Sequence, residues 1–153
     1  MIRMAGPIFG FDPLTRFVLL IDDEGTPLWW LQSLENPGVA FVVVNPRLVR
    51  SDYDPDVPAA DLEALGIGKG EEAALLAIVT VRLSPFRVTA NLKAPILVNT
   101  VRRTAKQIVL EDPDSPIQYD VFDRRNGFAQ TEGRADRGGG AGVLGKCVAA
   151  AAP

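Results

Sequence analysis

The chain has 153 residues, with 16 Lys and Arg against 19 Asp and Glu, a single cysteine and no histidine. With Cys147 as its only thiol it cannot assemble a His/Cys zinc site, a Ser-His-Asp or Cys-His relay, an iron-sulfur cluster or an internal disulfide. Its 47% apolar and 23% charged residues are those of a soluble globular protein, large enough to bury about two thirds of the surface its unfolded chain exposes.

The apolar N-terminal stretch carries two glycines and a proline and is stopped by Asp12 and Arg16, a poor signal-peptide pattern. The longest apolar runs, residues 39–44 and 73–81, fall far short of the roughly 18 residues of a spanning helix. The expectation is a cytoplasmic protein without a membrane segment. Residues 17–21 form a short apolar run ended by Asp22-Asp23-Glu24-Gly25-Thr26-Pro27, and residues 28–31 resume it, which reads as strand, turn, strand. Asn36-Pro37-Gly38 makes the next turn before the β-branched run 39–44, too short for a helix and closed by Asn45-Pro46, so a buried strand is predicted. Residues 58–66 predict the one helix, because Pro58 suits a first turn, Leu62 and Leu65 share a face, and Gly66 offers a left-handed end.

Residues 74–83, 87–92, 96–101 and 105–110 follow as strands, separated by Ser84-Pro85, Lys93-Ala94-Pro95 and Arg102-Arg103-Thr104. This spacing predicts an all-β, mainly antiparallel sandwich or small barrel. No connection is long enough for a βαβ crossover, which counts against a parallel sheet. Residues 127–153 hold seven of the fourteen glycines and end in a run of alanines. The expectation is a single β domain over residues 1–123 and a disordered Gly/Ala-rich tail over 124–153.

Charge is blocked along the chain. Residues 52–72 carry seven acids against Lys69, a net −6, and residues 82–106 carry six bases and no acid. Blocks of one sign bias which partners approach. Gly66-Ile67-Gly68-Lys69-Gly70 lacks the Ser/Thr and the following helix of a phosphate loop. Asp22-Asp23-Glu24 and Glu111-Asp112-Pro113-Asp114 lack the ligand spacing of a calcium loop. The basic block interleaves only Phe86, so direct nucleic-acid binding is not expected. Trp29 and Trp30 must point to opposite faces of a strand, one into the core and one available as an interface anchor.

In series, Leu31-Gln32-Ser33-Leu34, the run from Ala40 to Pro46, Asp52-Tyr53, the run from Ala77 to Val81, the run from Thr89 to Asn99 and the run from Lys106 to Leu110 resemble the bacterial flagellar assembly factor FliW family over about residues 5–122. The resemblance implies a non-enzymatic, β-barrel-like protein, without metal or cofactor, that binds two alternative partners, flagellin and the RNA-binding translational regulator CsrA. Bound CsrA no longer represses the flagellin message, and accumulating flagellin frees it again, a switch built on mass action. Phe9, Ala90 and Ala105 stand where the family has Pro, Val and Gly. Ala105 would be strained by about 1 kcal/mol if its backbone needed positive φ.

Charge suggests that Asp52, Asp54, Asp56, Asp61 and Glu63, with Tyr53 among them, attract a basic CsrA surface. An outward Trp29 or Trp30 is expected to anchor flagellin at a strand edge or apolar groove. Asn91, Asn99 and Gln107 suit either a polar partner surface or the satisfaction of backbone groups within the fold. The competing class is a small β-barrel that binds a ligand or performs carboxylate chemistry, which requires an acid in an apolar pocket.

Overall fold

A computed structural model describes residues 1–21, 25–69 and 73–122. The tail expected at 124–153 lies outside the described residues, as do Asp22-Asp23-Glu24 and the Glu71-Glu72 end of the acidic block. The strands are β1 (Ile2–Met4), β2 (Arg16–Leu20), β3 (Leu28–Ser33), β4 (Ala40–Val44), β5 (Ala73–Leu83), β6 (Phe86–Ala90), β7 (Ile96–Asn99), β8 (Thr104–Gln107) and β9 (Tyr119–Asp120), of which β1 and β9 answer to no run singled out in the sequence. Two short helices, α1 (Pro46–Val49) and α2 (Ala59–Ala64), lie between β4 and β5.

Strand order β4-β3-β2-β1-β8-β7-β5 closes on itself where β4 pairs back onto β5, and β6 and β9 continue beyond β5. The all-β, barrel-like reading therefore holds, with one correction: β1 and β8 run parallel, Arg3 beside Thr104. A helical crossover is not needed there, because the rest of the barrel is itself the connection. A second correction is α1. Asn45-Pro46 does end a strand, but the Asn45 carboxamide also accepts from the Arg47 N–H at 3.0 Å and Pro46 occupies the first helical turn. The helix expected near residues 58–66 is α2, followed by Gly66 at φ +63.

β6 and β7 together form the return arm of a long hairpin with β5. Val79 faces Ala90 and Leu76 faces Ile96, so residues 91–95 stand opposite only Ala77 and Ile78. Asn91 shapes this bulge, its Oδ1 accepting from the Lys93 and Ala94 N–H groups at 3.1 and 2.9 Å. Pro95, which cannot donate to a ladder, falls at the end of it. β7 and β8 are shorter than the sequence pattern suggests, since the chain turns at Asn99 and leaves the sheet after Gln107. Ala105 lies inside β8, fully buried, and the positive φ of this connection belongs to Arg103 at 56°. The strain anticipated at Ala105 is absent from that position.

Strand alternation divides the apolar residues into two cores. Inward-facing Phe17, Leu31, Phe41, Val43, Leu76 and Ile96 fill the barrel, with the Phe11 ring edge-on to Phe41 at 4.7 Å. Outward-facing Val44, Ala77, Val79 and Leu97 are roofed by α1, α2 and the chain after β8, through Val49, Tyr53, Leu65, Ile108 and Leu110. The Tyr53 hydroxyl donates to the Leu92 carbonyl at 2.8 Å, tying the roof to the bulge of the return arm. Burial raises the Tyr53 phenol to about 12. Its folded pKa exceeds the ordinary value near 10, so its contribution to stability is complete below about pH 10 and is lost as pH rises toward 12. Alkaline unfolding followed by circular dichroism is expected to lose this component in Tyr53→Phe, which should also be destabilised at neutral pH by about 1–2 kcal/mol.

Candidate partner-binding surface

Register settles the tryptophan pair. Trp29 lies opposite Val43, in the row that faces the barrel interior, and Trp30 lies between Leu20 and Val42 on the outer face, 39% exposed. Trp30 is thus the outward indole. Of the acidic block, Asp52 pairs with Arg50 at 3.0 Å, Asp54 with Arg47 at 2.5 Å and Asp61 with Lys106 at 2.6 Å. The Arg50 hydrogen bond holds the Asp52 carboxyl below its ordinary value. Among the described residues Asp56 and Glu63 are left without an ion pair, so the block offers a partner less charge than its residue count implies.

Four of the expected contact residues have internal work. Tyr53, Asn99 and Gln107 are buried. Asn99 donates from Nδ2 to the Leu65 carbonyl and accepts from the Val101 and Arg102 N–H groups. Gln107 accepts from the Phe9 N–H at 2.9 Å and donates to the Ala94 carbonyl at 3.1 Å. Asn91, half-buried, holds the bulge. Their polar atoms satisfy backbone groups, which for Asn91, Asn99 and Gln107 is one of the two roles their sequence pattern suits.

Leu83, the most exposed large apolar side chain among the described residues, belongs to a feature that residue reading missed. The β5–β6 hairpin runs past the end of its pairing with β4, carrying Leu83 and Phe86 on either side of Ser84-Pro85, 83% and 67% exposed. Phe122, 50% exposed, adjoins it. A groove of about 280 Å³ is lined by Phe86, Arg87, Val88, Asp120 and Phe122. Arg87 closes one wall by donating through Nε and Nη2 to both Asp120 oxygens at 2.7 and 2.8 Å, which lowers the Asp120 carboxyl. The available signal was a proline turn flanked by two bulky apolar residues, Leu83 and Phe86, where solvated turns carry polar ones.

Carboxylate chemistry has little support in this arrangement. The buried polar side chains among the described residues are Ser33, Thr89, Asn99, Gln107 and Ser115, none of them an acid. A second cleft, about 290 Å³ beside Trp29, Asn45, Arg47, Tyr53 and the start of β5, is lined by no carboxylate among the described residues. No group of three or more acids or cysteines gathers to hold a metal among the described residues.

Residues 1–121 match the family model described as FliW protein. The chain belongs to the FliW family. The flagellar assembly factor FliW of Syntrophus aciditrophicus (strain SB) is 41% identical over 124 residues, covering 81% of this chain and 78% of that protein. The FliW of Geobacter sulfurreducens is 43% identical over 123 residues, covering 80% and 77%. A crystal structure of the flagellar assembly factor FliW matches with a TM-score of 0.71 at 31% identity, over 81% of this chain and 86% of that one. These FliW relatives are named as assembly factors rather than as enzymes. None of the described helices is long and apolar enough to cross a membrane.

Proposed function

We propose that this FliW family protein works without catalysis, by holding either CsrA or flagellin and so coupling flagellin synthesis to its export. Family membership across residues 1–121 carries this reading. The outward Trp30, Leu83 and Phe86 support it, because large apolar groups exposed on a rigid barrel are contact anchors rather than packing. Asp56 and Glu63, without an ion pair among the described residues, are carboxylates a basic CsrA surface would meet, and the reading implies a cytoplasmic location. No step requires a cofactor, since which of two partners that cannot be held together is bound follows from their concentrations and affinities.

Calorimetric titration with purified CsrA and flagellin tests the switch. The expected result is that each binds alone and that a preformed CsrA complex is emptied by flagellin. A stable ternary complex, or binding of neither, would sink it.

A further inference from the structure

β5 is eleven residues long, yet β4 accompanies it only along residues 77–79. Beyond Val79 one edge of β5 is paired with β6 as far as Leu83, and the other edge has no strand beside it among the described residues. A closed barrel thus opens along one short edge.

Backbone alternation identifies the groups that line it. The Asn91 N–H donates to the Ile78 carbonyl at 2.9 Å, and these two residues continue the β5–β6 register. Ile78, Thr80 and Arg82 therefore turn their main-chain groups toward β6. Val79, Val81 and Leu83 turn theirs the other way. Val79 meets Val42 of β4, and the N–H and C=O groups of Val81 and Leu83 face the open edge.

The side chains divide as sharply. Val81 and Leu83 share the outer face with Trp30, and Arg82 points to the opposite face, directly across from Arg87. Arg87 is taken up by Asp120, whereas Arg82 is exposed and has no acid partner among the described residues. Two cations opposite each other are unfavourable, and a carboxylate brought beside Arg82 would relieve this.

We propose that the open edge of β5, from Thr80 to Leu83, receives an extended segment of flagellin as an added strand, with apolar residues on the outer side and an acidic residue facing Arg82. This rests on the reading that the protein captures flagellin, and it locates the capture. Main-chain groups left in a row at a sheet edge are a template for another extended chain. Leu83 asks for an apolar neighbour and Arg82 for an anion. The basic block that contains Arg82 disfavours CsrA, the partner expected to be basic, as the occupant.

The test uses the full chain with purified flagellin and CsrA. Arg82→Glu and Leu83→Lys change exposed side chains, and Val81→Pro removes an edge N–H while leaving the bonds to β6 in place. Each is expected to weaken flagellin binding about tenfold or more and to leave CsrA binding within about twofold. In the wild type, flagellin should slow hydrogen exchange at the Val81 and Leu83 amides. Wild-type affinity for flagellin in both Arg82→Glu and Leu83→Lys, or unprotected amides in the complex, would overturn the assignment. Equal loss of both partners would do so too. If the wild type bound no flagellin, the underlying reading would fall, a result distinct from each of these.

Discussion

Phe17→Ala is expected to lower stability by about 3–5 kcal/mol, measured as a fall in the urea midpoint at unchanged slope. Phe17 is completely buried inside the barrel, its ring 6.1 Å from Phe41 and tilted by 51°, and Phe41 in turn meets Phe11. Truncation removes the anchor of this aromatic chain. How much a core relaxes after such a loss decides the cost within the range. Here the walls are seven strands joined in a hydrogen-bonded ring, and closing in on the void would mean shifting registers that also position the outer core. The upper half of the range follows. A loss below about 2 kcal/mol would show instead that the ring collapses easily.

Asn99→Ala is expected to cost about 2–4 kcal/mol by a different route. The side chain is almost fully buried and makes three bonds, donating to the Leu65 carbonyl at 3.1 Å and accepting from the Val101 and Arg102 N–H groups at 3.1 and 2.9 Å. Alanine leaves those backbone groups without partners and unties the end of α2 from the β7–β8 turn. Hydrogen exchange separates this from a simple packing loss. The Val101 and Arg102 amides should exchange faster than the global loss of stability accounts for, while amides of the β2–β3 pair follow it. Uniform acceleration through the sheet would contradict the local role given to Asn99.

The strands β2 to β7 were legible because their β-branched and apolar runs end at Gly, Pro or Asn, and the α2 helix because Pro58 and Gly66 bracket it. β1 was not, since three residues ahead of Gly6-Pro7 carry no periodicity and acquire strand geometry only from distant neighbours. Among the candidate contact residues, a carboxamide reads the same whether it serves a partner or a backbone turn, so Asn91, Asn99 and Gln107 could be assigned only with the chain folded. The acidic block was visible as a count, but Lys106, from the far side of the sequence, takes up Asp61. Leu83 closed the expected strand 74–83 and Phe86 fell just ahead of the expected strand 87–92, so neither was marked as outward. Their exposure comes from the difference in length between β4 and β5, which no local pattern encodes.

The parallel pairing of β1 with β8 has a consequence for biosynthesis. Arg3 leaves the ribosome about a hundred residues ahead of its neighbour Thr104, so the seam cannot close until several seconds of further synthesis have passed at about 5–20 residues per second. Until then β1 can pair only with β2, and its other edge waits unpaired. Formation of the ring is therefore an event of the completed domain, with the slow, non-local character of high-contact-order folding, and a nascent chain stalled before β8 carries every other strand of the barrel without the one that locks its beginning to its end.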